Sequence, residues 1–392
     1  MSPTCISHNR IVIACLVLAS VSGCCTSRHC DKNAGTSVAK YQFQSESLRE
    51  AFEPTAQAPV TNADILILSG GGSHGAWGAG VLRGWRDNSE SPRPKFRIVT
   101  GVSTGALLAT YAFLGETNDD ETLKSAYTTA KTSDIYRMKC PLGWLLSDSL
   151  YSAAPLRRLI AKYISTNTLE RVAQLGRGEN RRLYVGTVNL DSGKLVIWDM
   201  TKIAVDESNP NRLELYRRVV LASASIPVWV PPVEIDGSLY GDGGVRAQLF
   251  VEDHFLPALR ATQSYRKGQR KALVHVRFYV VVNGKVGLDP ICEPDKLLEI
   301  GTRTLDMILD AAEVGDLYRI YEMAVEMKSE GDKPAFSLAR IPDDQDITSS
   351  YVFDPRKMKE LYDAGVGFGR DATRWESAVP DPDRPGRSPA ER

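Results

Sequence analysis

Apolar positions in this chain fall into two kinds of run. Short, nearly continuous ones fit strands covered on both faces: Ile65-Leu66-Ile67-Leu68, Phe96 to Thr100, Arg182 to Asn189, Lys194 to Trp198, Val233 to Ile235 and Ala272 to Val282. Gly75 to Asp87 and Thr104 to Leu114 fit helices. Lys296 to Lys328 places Leu297, Leu298, Ile300, Leu305, Ile308, Leu309, Leu317, Ile320 and Tyr321 at helical spacing, with acids and bases around the rest. That predicts a long helix whose apolar residues face a core rather than a membrane. Strands alternating with helices predict an α/β fold, a mostly parallel central sheet covered by helices.

The flanks differ in composition. Thr26 to Asn62 is polar and contains proline, and the chain ends in Pro-Asp-Pro-Asp-Arg-Pro-Gly-Arg-Ser-Pro. The expected division is a leader over 1–23, a flexible linker over 24–62, one large α/β domain over 63–375 and a disordered tail over 376–392. Between Tyr136 and Tyr151 an apolar patch is broken by Pro141 and Gly143. A mobile lid or acyl-chain wall and an ordinary buried loop are both open there.

The strand near residue 100 runs into Gly101-Val102-Ser103-Thr104-Gly105. Small residues on both sides of a serine permit a sharp strand-to-helix turn that lifts the hydroxyl clear of the backbone. The helix after it aims its N-terminal amides at the point where an oxyanion would form. Gly71-Gly72-Ser73-His74-Gly75 matches the same pattern, so order along the chain decides between them. An oxyanion loop follows an earlier strand and precedes the nucleophile. Gly70, Gly71, Gly72 and Gly75 follow the strand Ile65 to Leu68, which assigns Ser103 as nucleophile and this loop as oxyanion hole. The loop also fits G-x-G-x-x-G, but the next strand ends in Gly-Val-Ser-Thr-Gly where a dinucleotide site needs an acidic residue. The dinucleotide reading fails on that point.

Downstream, Asp242-Gly243-Gly244 follows a short strand-like run and the rigid apolar stretch Ala222 to Pro232, a wall suited to a desolvated carboxylate. By themselves the three residues fit a simple turn. In order, the glycine loop, Gly101-x-Ser103-x-Gly105, the Ala-Ser-x-x-Ile-Pro segment and Asp242-Gly243-Gly244 resemble the patatin-like phospholipases over roughly Asp64 to Val245. The resemblance implies a three-layer α/β/α fold and a Ser-Asp dyad, with Ser103 as nucleophile and Asp242 as general base. It also implies acyl-ester hydrolysis of lipids (phospholipase A or lysophospholipase type) without metal or organic cofactor. Members commonly carry Arg or Lys where this chain has His74, which is mostly neutral at pH 7. Two alternatives stand beside the dyad. One is a Ser-Asp-His triad using His254 or His275; the other is a non-catalytic lipid-binding or assembly protein on the same scaffold.

Composition adds a location. Residues 1 to 23 hold Arg10 as their only charge, then the apolar run Ile11 to Val21, shorter than the ~20 residues a bilayer-spanning helix needs. The run ends Val21-Ser22-Gly23-Cys24, which resembles a bacterial lipobox and implies lipidation at Cys24 and a lipid-anchored protein of the bacterial cell envelope. Of the seven cysteines only Cys140 and Cys292 lie in the expected domain, with no Cys/His spacing for a metal site. Lys and Arg number 48 against 48 Asp and Glu, which leaves no basic stripe for nucleic acid. The expected partners are membrane lipids or other acyl esters.

Overall fold

The computed structural model describes residues 35–53, 62–139, 149–268, 274–290, 296–327 and 335–381. Its strands are β1 (Asn62–Leu68), β2 (Ile98–Val102), β3 (Arg137–Met138), β4 (Tyr151–Ser152), β5 (Arg182–Asn189), β6 (Lys194–Asp199), β7 (Val233–Ile235), β8 (Ser238–Asp242), β9 (His275–Val281) and β10 (Phe336–Ala339). Eight form one sheet in the order β10-β9-β1-β2-β5-β8-β7, with β6 also along β5, while β3 and β4 form a separate ribbon. β10, β9, β1, β2 and β5 are parallel; β6 and β8 run against β5, and β7 against β8.

The continuous apolar strands have the physical cause their sequence implies, because both faces of the sheet are buried. Leu66 and Leu68 point into a core shared with the helices Gly75–Asp87, Thr104–Leu114, Arg212–Ser223 and Pro355–Gly369. Ile65 and Ile67 point into a second core with the helices Ser45–Ala51, Glu252–Gly268 and Leu297–Glu326. The result is a three-layer α/β/α molecule. On the first face, Gly80 and Gly84 meet Gly365 and Gly369, and a Cβ on any of them would overlap the opposing helix backbone. Glycine here is a requirement of close helix approach. Buried Asp120 in the helix Thr117–Thr129 is held between Arg86 and Arg93, which fastens that helix to the same layer.

Several expectations need correction. The second strand extends past Thr100 to Val102, since Gly101 and Val102 pair with Val185 and Gly186 of β5. The stretch 24–62 is not all linker. Tyr41, Leu48, Ala51 and Phe52 are buried, and the Phe43 ring stacks on Phe255 with centroids 4.9 Å apart. The chain is also packed beyond residue 376: Glu376 exchanges both backbone hydrogen bonds with Leu338 and pairs with Arg340 at 2.8 Å, and Val379 is buried. In the helix Leu297–Glu326, Leu317 and Ile320 are core residues, but Ile300 and Ile308 are exposed. The leader, Cys24, most of the Tyr136 to Tyr151 patch with Cys140, as well as Cys292 and residues 382–392, lie outside the described residues.

Candidate active site

β2 and β8 reach the same edge of β5 from opposite directions. The last residue of β2, Val102, stands opposite Gly186, and the last residue of β8, Asp242, stands opposite Thr187. One register step separates them, so the residue after β2, Ser103, meets Asp242 head on. A parallel and an antiparallel strand ending on a shared neighbour thus bring together two side chains far apart in sequence.

Ser103 has φ 55° and ψ −126°, a conformation that costs a residue bearing a Cβ about 1–3 kcal/mol. It is pinned there because its N–H donates to Ser223 Oγ at 2.9 Å, and the Ser223 hydroxyl donates to the Gly186 carbonyl at 2.7 Å. Gly101 and Gly105 allow the turn: a Cβ on Gly101 would overlap the Gly105 carbonyl, and one on Gly105 would lie 2.6 Å from the carbonyl oxygens of Leu68 and Ser69.

Asp242 is buried. Its N–H donates to the Ser225 carbonyl at 2.8 Å, its Oδ1 accepts from the Gly244 N–H at 2.8 Å, and the Ser103 hydroxyl stands beside the carboxyl, favouring its ionised form. Burial pushes the carboxyl up to about 7, against the smaller opposing pull of Ser103 and Gly244. The environment is the apolar wall expected from Ala222 to Pro232. A carboxylate poised near neutrality beside a strained serine can take a proton from it.

The glycine loop divides by function. The Gly70 N–H donates to Gln248 Oε1 at 3.1 Å and the Gly75 N–H turns back to Gly72 and Ser73 carbonyls, so neither faces an oxyanion, contrary to the expectation for the whole loop. Gly71 at φ 130° and Gly72 at φ 52° hold conformations natural only to glycine, and no acceptor among the described residues is bonded to their N–H groups. A Cβ on Gly71 would overlap the Asn283 carbonyl, and one on Gly72 the Ser350 carbonyl. Gly75 instead lets its helix approach Thr104, whose Oγ1 would lie 2.5 Å from a Cβ.

Four residues around this loop carry no motif. Gln248 caps Gly70; Ser350 accepts from the Ser73 N–H at 2.9 Å; Asn283 donates through Nδ2 to the Ser69 carbonyl at 2.8 Å. Glu313 is buried behind them, beside the Ser69 hydroxyl, and burial pushes it up to about 8, with Asp310 and Asp316 adding to the shift. His74 is buried, a ring nitrogen lies 2.7 Å from the Thr348 carbonyl, and burial lowers its pKa, so it brings no fixed positive charge. His275 begins β9 opposite Asn62, at the end of the sheet away from Ser103, and its side chain is exposed. The His254 side chain is outside the described ones.

Ser103 and Asp242 open onto a cavity of about 670 Å³. Its lining combines apolar side chains, among them Leu107, Ile135, Leu156, Leu159, Val220 and Trp229, with polar ones, among them Asn283, Lys285, Arg303, Asp306, Asp310 and Glu313. An apolar chain fits against the former with a polar group against the latter.

Residues 66–253 match the family model of patatin-like phospholipases. The chain is 25% identical over 190 residues to the uncharacterized protein R571 of Acanthamoeba polyphaga mimivirus, a match spanning 46% of this chain and 57% of that one. It therefore covers little more than half the length of that relative. Among solved structures, VipD from Legionella pneumophila aligns over 80% of this chain and 70% of its own, at 13% identity and a TM-score of 0.35.

Proposed function

We propose that this protein is a phospholipase A or lysophospholipase that works through Ser103 and Asp242, a reading supported by the match of residues 66–253 to the patatin-like phospholipase model. Ser103 Oγ attacks the ester carbonyl while Asp242 takes its proton. The developing oxyanion is held by the N–H groups of Gly71 and Gly72. Collapse expels the alcohol, which carries away the proton from Asp242, and leaves an acyl group on Ser103. Water, deprotonated by Asp242, then releases the fatty acid. The observation that supports this most is the juxtaposition of a strained serine and a buried carboxyl raised to about 7.

The test is turnover of a monomeric medium-chain acyl ester by the full chain beside Ser103→Ala. Loss of at least about 10³-fold in kcat/KM, with loss of labelling by a fluorophosphonate, supports the assignment. Equal turnover by both proteins removes Ser103 from the mechanism; no turnover by either favours a binding protein on a hydrolase scaffold. The proposal includes attachment to the bacterial envelope by lipid at Cys24. Incorporation of a labelled fatty acid that Cys24→Ser abolishes is the corresponding check.

A further inference from the structure

Five of the eight large apolar side chains exposed among the described residues stand around the cavity. Val228, Leu288, Ile300, Met307 and Val352 are all exposed. Leu288 lines the cavity mouth itself, and the other four adjoin lining residues: Val228 precedes Trp229, Ile300 follows Glu299, Met307 follows Asp306, and Val352 follows Tyr351. The contacts join them into one rim. Trp229 stacks on Tyr351 with ring centroids 4.9 Å apart, the Tyr351 hydroxyl donates to Asp306 at 2.9 Å, and Arg303 donates to the Asp289 carbonyl at 3.0 Å next to Leu288.

The arrangement is not what a helix face turned to water should look like. At 100° per residue, Ile300 and Met307 share the flank of the Leu297–Glu326 helix that adjoins its cavity-lining residues Arg303 and Asp310. Val228 sits at φ 73°, a strained conformation for a β-branched residue, and is 68% exposed. The fold thus holds a mostly exposed apolar side chain outward at a cost in backbone energy.

We propose that this rim inserts into the surface of a zwitterionic lipid bilayer and seats the cavity mouth on it; the inference rests on the lipid hydrolase reading above. Lipid is the occupant that fits, because the rim adjoins a cavity of about 670 Å³ lined by apolar side chains such as Leu107, Leu156, Leu159 and Val220 together with polar ones. Charge selects the kind of lipid. Lys285 pairs with Asp289 at 2.6 Å and Lys296 with Glu299 at 3.0 Å, while the Arg303 charge faces those of Asp306 and Asp310. These cations are taken, and the carboxylates beside them disfavour an anionic surface. A second copy placed rim to rim would oppose the same carboxylates and close one cavity against another.

The experiment uses the full Ser103→Ala chain with a solvatochromic amino acid incorporated at position 307 or, as a control, at position 275, where exposed His275 stands at the end of the sheet away from Ser103. The signal is local, so any attachment at the chain's N-terminus leaves the comparison intact. Adding phosphatidylcholine vesicles is expected to shift the emission to the blue at 307 and not at 275. The shift is expected to persist in about 1 M NaCl and not to grow with phosphatidylglycerol. Ile300→Ser with Val352→Ser should weaken that partition by about tenfold or more. No shift at 307, an equal shift at 275, dependence on anionic lipid, or a shift that rises with protein concentration without lipid each overturns the proposal. Hydrolysis is tested separately, on a monomeric ester with the Ser103 chain, so failure of the hydrolase reading and failure of the rim give different results.

Discussion

At the scale of single residues, Asp242 sets stability against chemistry. An aspartate in an unfolded chain ionises near ~3.9, whereas burial raises Asp242 to about 7. The native state therefore keeps the proton between those values. Its favourable contribution is complete below about pH 4 and is lost as the pH rises through 7, where holding the ionised group costs on the order of 4 kcal/mol. Asp242→Asn should accordingly raise the melting temperature relative to the parent at pH 8 and change it much less at pH 5, while abolishing ester hydrolysis. In the parent, kcat/KM should climb about tenfold per pH unit below 7 and level off above it, because only the ionised base accepts a proton. A melting comparison at the two pH values and a pH–rate profile measure both. An acid limb centred near pH 4 would show that burial does not govern this group.

At the scale of elements, the oxyanion loop is shaped by partners that sequence proximity does not supply. Gln248 holds the Gly70 N–H at 3.1 Å, and its own backbone is fixed because the next residue, Leu249, donates to buried Asp316 at 3.0 Å. Gln248→Leu removes that acceptor without adding charge and should release the loop, lowering kcat by about 10–100-fold with KM changed by less than about threefold. Unchanged kcat would mean that Asn283 and Ser350 hold the loop alone. The motifs were legible because glycine is demanded by backbone geometry at Gly71, Gly72, Gly101 and Gly105, a demand written in the residue itself. Gln248, Asn283, Glu313 and Ser350 were not legible, since each matters through a neighbour that only the sheet order brings close. The helix Leu297–Glu326 shows the other limit of pattern reading. Periodicity identifies an apolar face, but whether it meets a core, as at Leu317 and Ile320, or solvent, as at Ile300 and Ile308, depends on how far the sheet extends beneath it.

At the scale of the whole molecule, the stretch matching the family model stops before the structure that completes it. Alternating strands and helices announced the layered fold, but composition misjudged its edges: a polar segment can still anchor through a few side chains, as Tyr41, Leu48 and Phe52 do before β1 and Val379 does near the end. The segment after residue 253 supplies more than an edge. β9 pairs with β1 along its whole length, Asn62 with His275 through Leu68 with Val281, and the Pro355–Gly369 helix covers Gly80 and Gly84. Asn283 and Ser350, which hold the oxyanion loop, come from the same segment. A chain ending at residue 253 would leave β1 an open edge of buried-type apolar residues and a bare glycine helix face, a combination that favours aggregation over folding. Such a truncation is expected to give no cooperative thermal transition by circular dichroism. Gly84→Leu in the full chain should reproduce much of that loss, because the added side chain has the backbone of Val366 in its place. A cooperative transition in the truncated chain would show instead that the second half is an accessory to a core able to fold alone.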